Sequence, residues 1–341
     1  MAPPPRPPAF VFPESLFRPE IGAEPRMPRT AENRTLAPRR RTWRPGLLTW
    51  LIAVLALSGA GAGLYPMTAG WISSYNQSRV IEQAHRNLRD LQPRPAQQIE
   101  LAHEYNNALT AGVELEPGGN VPVGAGNLSD AALRYDEILR AEDDGLMGRI
   151  KVPGIDVDLP IYHGTSEATL LRGAGHLEGS HLPVGGTGTR TVITAHRGLA
   201  NSTMFTDLNR VQDGDTFTIE VLGEALVYRV FDIEVIDPKD SSSLRAVPGK
   251  DLATLITCTP LGINSHRIVV TGERITPTPP DAVKAVGAAP TIPGFPWWAV
   301  LGGGGLVVVT VYVVRRGFAD PRLGPDAGPA AAERGATPDG D

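Results

Sequence analysis

Leu252-Ala253-Thr254-Leu255-Ile256-Thr257-Cys258, Thr259-Pro260-Leu261-Gly262-Ile263-Asn264 and Ser265-His266-Arg267-Ile268-Val269-Val270 follow one another without a gap. The outer segments are aliphatic and β-branched and the middle one carries Pro, Gly and Asn, so the pattern predicts strand, loop, strand. That arrangement sets a sulfur at one strand edge and a guanidinium at the other, with room for a carbonyl between them. Cys258 is the only cysteine of the 341 residues, so an internal disulfide is excluded. A lone cysteine also serves as a small buried hydrophobe, and the spacing by itself leaves that reading open beside a reactive one.

Upstream the β pattern continues. Runs at 150–152, 157–162, 189–196, 216–221 and 226–235 join 252–258 and 267–275 as seven candidate strands separated by turn signals, which predicts a barrel or sandwich. Short helices are expected at 168–172 and 205–211, favouring a closed barrel with helical insertions. Ahead of it, 75–91 and 95–109 read as two amphipathic helices split by Gln92-Pro93-Arg94. Pro95 suits a first helical turn, and Ile99, Ala102, Tyr105 and Leu109 recur at helical spacing. Residues 116–127 form a loop by their Gly, Pro and Asn content, and a short helix is expected at 130–140.

Two apolar stretches, 46–65 and 296–314, are long enough to cross a bilayer at 1.5 Å per residue. Arg39, Arg40, Arg41 and Arg44 precede the first, and Arg315 and Arg316 follow the second. The positive-inside rule then predicts both termini in the cytoplasm and the intervening chain outside, with Trp50, Trp71, Trp297 and Trp298 near the span ends. A cleaved signal peptide ending at Ala60-Gly61-Ala62 is the competing reading, set against an n-region far longer than usual. Gly59 and Gly63, with Gly302 to Gly305, invite close packing of the two spans. Residues 1–45 and 315–341, rich in Pro, Arg, Gly and Ala, are expected to be disordered by composition. A net charge of −5 and the absence of a basic, aromatic-interleaved stripe give no support to nucleic-acid binding.

Nucleophilic chemistry at Cys258 requires a neighbouring base or cation to favour the thiolate. His196 ends the 189–196 run, just before Arg197-Gly198, and Arg267 lies nine positions after the cysteine. Metal chemistry is not expected, because there is no second cysteine and the seven histidines show no metal-binding spacing.

The 254–267 run resembles the class C, pilus-assembling sortases. So do Ile193-Thr194-Ala195-His196-Arg197-Gly198-Leu199, Leu159-Pro160-Ile161-Tyr162-His163-Gly164-Thr165-Ser166-Glu167 and Gly175-His176-Leu177-Glu178-Gly179-Ser180. The resemblance covers about 148–275. It implies a mainly β fold: a sortase-type closed β-barrel of about eight strands with short helical insertions, preceded by a pair of N-terminal helices and flanked by two transmembrane helices. The implied order is a tail (1–45), a span (46–65) and an extracellular helical region (67–145) with a lid-like loop (116–127). The catalytic barrel (146–276), a Pro-rich linker (277–295), a second span (296–314) and a tail (315–341) follow.

By the same resemblance, Cys258 is the nucleophile that cleaves an LPxTG-like sorting signal between Thr and Gly, His196 the general acid and base, and Arg267 the oxyanion partner. Thr257, Leu261 and Asn264 are the implied groove residues, with Leu261 standing where the family commonly has Tyr. No cofactor is implied. The implied partners are pilin or other surface-protein substrates with C-terminal sorting signals, and the lipid bilayer. The acceptor is a pilin lysine or, in an anchoring enzyme, a peptidoglycan-precursor amine; a non-catalytic scaffold is the remaining alternative. Residues 118–127 lack the Asp-Pro-aromatic plug of the family's lid, and His163 and His176 are expected to hold loops by hydrogen bonds.

Overall fold

The computed structural model describes residues 43–109 and 134–319. The lid-like loop, residues 1–42 and 320–341 of the two tails, and the beginning of the helix expected at 130–140 lie outside them; residues 315–319, expected to be disordered, are instead the last turn of a helix. The described part of that last segment is a single 3-10 turn, Tyr135–Glu137, that leads in extended form to the barrel.

Eight strands close into a barrel in the order β1-β2-β3-β4-β7-β8-β6-β5. They are β1 (Leu146–Val152), β2 (Val157–His163), β3 (Ala174–His176), β4 (Thr189–Thr194), β5 (Thr216–Val221), β6 (Glu224–Ile236), β7 (Asp251–Thr259) and β8 (His266–Arg274). The β2–β3 and β4–β7 pairs are parallel and the others antiparallel. Seven match the sequence pattern. The eighth, β3, is three residues long, and Ala-Gly-His has no β propensity of its own; it pairs because β2 and β4 flank it. Side chains alternate across each strand, and the inward set, including Ile150, Ile161, Ile193, Phe217, Tyr228, Leu255 and Val270, fills the barrel. Gly148 is required where β1 crosses β5, because a Cβ there would collide with the Glu220 carbonyl.

The helices depart from expectation at several places: the helix expected at 205–211 is only a 3-10 turn, Leu208–Arg210, and the largest departure is at the N-terminus. The first apolar stretch and the amphipathic 75–91 helix are one element, α1 (Leu47–Asn87), 41 residues long with Pro66 inside it. No Gly or Pro cluster separates the stretches, and a single Pro kinks a helix more readily than it ends one when both sides are well supported. Beyond the apolar part, Gln77, Ile81 and Ala84 form a buried stripe at helical spacing against the barrel. The second helix, α2 (Pro95–Ala108), has the expected bounds to within a residue and buries Ala102 and Tyr105. A four-residue α3 (Glu167–Leu170) is N-capped by Ser166 Oγ, which accepts from Thr169 N.

The C-terminal linker is not a free spacer. After α4 (Pro280–Lys284) it lies along α1 and β1: Trp71 Nε1 donates to Gly294 O at 2.8 Å, Ser78 Oγ to Ile292 O, and Arg149 Nη1 to Ala288 O at 2.7 Å. Arg149 also holds Asp158 through two 2.6 Å bonds, with Glu220 3.5 Å away; all three side chains are buried. The chain then enters α5 (Trp297–Ala319), antiparallel to α1, with Arg44 N donating to Gly317 O at 3.0 Å and Trp71 edge-on to Trp298. Contact between the two helices uses Gly302, whose Cβ position is 3.5 Å from Leu64 Cδ1; the Gly59 and Gly63 pair faces open space instead. Each helix contains a stretch long and apolar enough to cross a membrane.

Candidate active site

Register pairs two of the three sequence candidates directly and leaves the third in a neighbouring loop. Cys258 and Arg267 are direct partners on antiparallel β7 and β8, so their side chains share one face of the sheet. In the parallel β4–β7 pair Thr194 is level with Ile256, and Ala195 N donates to Ile256 O. The ladder ends there, and His196 follows two residues beyond the end of β4, in the loop beside the strand that carries Cys258. An apolar patch of Val192, Ile256, Val269 and Ile236, capped by Leu177 and Leu244, adjoins that end of the sheet.

Cys258 is 6% exposed, and burial pushes its thiol pKa above the ordinary value while the Arg267 charge pulls it down. The net shift is upward, so the resting sulfur is a neutral thiol. Arg267 is 1% exposed, and a guanidinium keeps its charge even when buried. Its Nη1 donates to Asn264 O at 2.9 Å and His266 O at 3.1 Å. Those carbonyls reach it because the loop curls: Asn264 takes a left-handed backbone (φ 57°) and its N–H returns to Pro260 O.

His196 is held by its own loop, its carbonyl accepting from Phe205 N at 3.0 Å. Its buried Nε2 lies 3.3 Å from Glu167 Oε2, without the alignment of a hydrogen bond. The next residue, Arg197, spans the site, donating to Thr206 O (3.0 Å), Thr259 Oγ1 (2.8 Å) and Asn209 Oδ1 (2.9 Å). Neither Glu167 nor Arg197 is marked by the sequence pattern, although both sit inside the family-like runs 159–167 and 193–199. The signal for Arg197 is its adjacency to His196; nothing local marks Glu167, which α3 carries in from a distance.

The three groove expectations separate. Leu261 is 53% exposed and packs over Gly198, whose φ of +77° and close contact leave no space for a side chain. Asn264 serves through its backbone, as above. Thr257 is fully buried on the face opposite Cys258, and its Oγ1 donates to Ala195 O at 2.8 Å, so it ties β7 to β4 instead of facing the cleft.

Behind the cleft, Tyr135 OH accepts from Gly164 N (2.9 Å) and meets His176 Nδ1 (2.9 Å), while His176 Nε2 faces His181 O (2.9 Å). Burial holds the His176 pKa down, to about 3, and its neutral ring suits one donor and one acceptor. His163 contacts Gly145 O and Ile138 O. Both histidines hold loops, as expected.

The Sortase domain family model matches residues 150–275. Streptococcus pneumoniae sortase C is 37% identical with a TM-score of 0.52, and the match covers 59% of this chain and 99% of that one. Sortase C1 from Streptococcus agalactiae gives 37% and 0.52, covering 59% of this chain and 100% of its own. Sortase D of Bacillus subtilis (strain 168) is 26% identical over 156 residues, 45% of this chain and 75% of that protein. Sortase A of Bacillus anthracis is 28% identical over 130 residues, 38% of this chain and 60% of its own length. A closed eight-strand barrel that ends a cysteine strand beside an arginine strand, joined to these likenesses, defines a cysteine transpeptidase. The chain belongs to the sortase family, and its structural neighbours are class C pilus sortases.

Proposed function

We propose that this protein is a pilin polymerase, in which Cys258 attacks the Thr–Gly bond of an LPxTG-like signal and a pilin lysine amine resolves the thioacyl enzyme. The observation that carries the reading is the direct pairing of Cys258 with Arg267 across β7 and β8, with His196 in the loop that leaves the adjacent β4. Cys258 is the chain's only thiol, so cysteine chemistry has one place to occur.

The resting pair is a neutral thiol and an imidazole. Attack transfers the thiol proton to His196 as the C–S bond forms, and the same imidazolium then protonates the departing glycine nitrogen. Arg267 faces the oxygen that gains charge in the tetrahedral intermediate; as a permanently charged, pre-positioned donor it requires no reorganisation there. His196, neutral again, takes a proton from the incoming lysine amine, and collapse expels the thiolate, which is reprotonated. The likeness of S. pneumoniae sortase C, whose description names pilin substrate specificity, supports the lysine acceptor.

In this reading α1 and α5 cross the cell membrane with both termini cytoplasmic and the barrel outside, supported by Arg39, Arg40, Arg41, Arg44, Arg315 and Arg316 at the inner ends. Protease added to intact cells should spare tags at both ends. Co-expression with a pilin bearing a sorting signal tests the activity: a high-molecular-weight ladder is expected from the native chain and none from Cys258→Ala. A single wall-linked product without a ladder favours anchoring, and an unchanged ladder in Cys258→Ala defeats the catalytic reading.

A further inference from the structure

The membrane helix and the cleft are joined by unusually short connections. Trp71 and Tyr75 stack at 5.4 Å on α1, Trp298 stands edge-on to Trp71 at the start of α5, and Trp297 beside it meets Phe295. Such a belt marks the boundary between hydrocarbon and headgroups. Ser73, two residues from Trp71 and therefore about 3 Å further along the axis, is bonded to Ser202 Oγ at 3.2 Å. One turn later Gln77 Nε2 contacts Met204 Sδ and Arg172 O. Ser202 and Met204 belong to the loop that follows His196. No spacer separates this loop from the aromatic belt.

The cleft's rim is apolar on that side. Leu261 packs over Gly198 and is 53% exposed, and Ile263, at the tip of the same β7–β8 loop, is 73% exposed. Leu171, next to the Gln77 contact, is 50% exposed. Isolated exposed apolar side chains are ordinary, but these belong to neighbouring loops at one end of the barrel. The opposite end is far away: Gly223, in the β5–β6 turn, approaches Leu88, fifteen residues beyond Ser73 on α1 and about 22 Å higher.

We infer that the rim of the cleft, formed by residues 197–204 and 260–264, rests in the headgroup layer of the outer leaflet, with Leu261 and Ile263 contacting lipid. The partner is the bilayer surface itself, and the site opens at that surface instead of toward bulk solvent. This inference rests on α1 and α5 spanning the membrane.

The test uses the full chain in phospholipid nanodiscs, with Cys258→Ala as background and a single cysteine introduced by Ile263→Cys, Glu224→Cys or Val307→Cys. Each variant is labelled with an environment-sensitive fluorophore, with nitroxide-bearing phosphatidylcholine, at the headgroup or on the acyl chain, as quencher. Most of the emission at position 263 is expected to be lost with headgroup nitroxide, with no loss at exposed Glu224 beside the distal turn. Val307, within α5, reports the span: acyl-chain quenching there with no quenching at 263 overturns the inference alone. Absence of quenching at 307 overturns the spanning reading and the inference with it.

Discussion

Arg197 Nη1 donates to Thr259 Oγ1 across 2.8 Å, joining the residue after His196 to the residue after Cys258. The two strands run parallel and share no turn, so this bond, with the Thr257 hydroxyl on Ala195 O, ties the loop that carries His196 to the end of the strand that carries Cys258. Thr259→Val keeps the shape and removes the acceptor. Loss of one such bond is worth about 1 kcal/mol, and the expected result is a several-fold fall in kcat for sorting-peptide cleavage with a melting temperature lowered by no more than about 2–4 °C. A drop in stability with unaltered kcat contradicts the positioning role.

The raised Cys258 pKa makes a kinetic prediction. Iodoacetamide alkylation should keep accelerating as the pH passes the ordinary thiol value of 9.0, because burial outweighs the Arg267 charge. Arg267→Gln removes the one effect that lowers the pKa, so its alkylation profile should move further toward alkali. Stopped-quench mass spectrometry across pH reads both; a plateau below pH 8 contradicts a neutral resting thiol.

His176 couples stability to acid. The unfolded chain takes up the proton at the ordinary value of 6.5, the folded chain only at about 3, so the unfolded state binds more protons between those values. Stability contributed by the neutral ring is complete above pH 6.5 and declines as the pH falls, by about 1.4 kcal/mol per pH unit at most. Urea denaturation at pH 7, 5.5 and 4.5 should show this decline, with a shallower slope for His176→Gln.

The Arg149 pair should be costly to break on one side. Asp158→Ala leaves a buried guanidinium with only Glu220 and a carbonyl, a change expected to cost about 3–5 kcal/mol. Chemical denaturation of the solubilised protein measures it. A loss below about 1 kcal/mol means that water already screens the pair.

Most of the barrel was legible because seven strands carry their own β pattern and turn signals. The eighth was not: Ala174-Gly175-His176 is extended only because its neighbours are. The site was legible as a set of residue types on strand edges, since alternation and register follow from strand assignment. Alternation also decides Thr257 against the cleft, for a residue adjacent to an outward Cys258 must point inward. Contacts made across long sequence separations, such as Glu167 to His196 or Ala288 to Arg149, have no local signal and emerge only once the chain has closed. The unbroken α1 is a third kind of case, where a single proline reads as a boundary but the packed stripe above it carries the helix through.

Because that helix has no joint between its apolar half and the half that grips the barrel, and the 285–294 strap grips from the other side, the enzyme stands on two legs. In the polymerase proposed above, tension on a growing fibre would pass straight into the pair of helices as bending and torsion. A head held on both sides in this way would leave each incoming subunit to arrive already oriented to a stationary die.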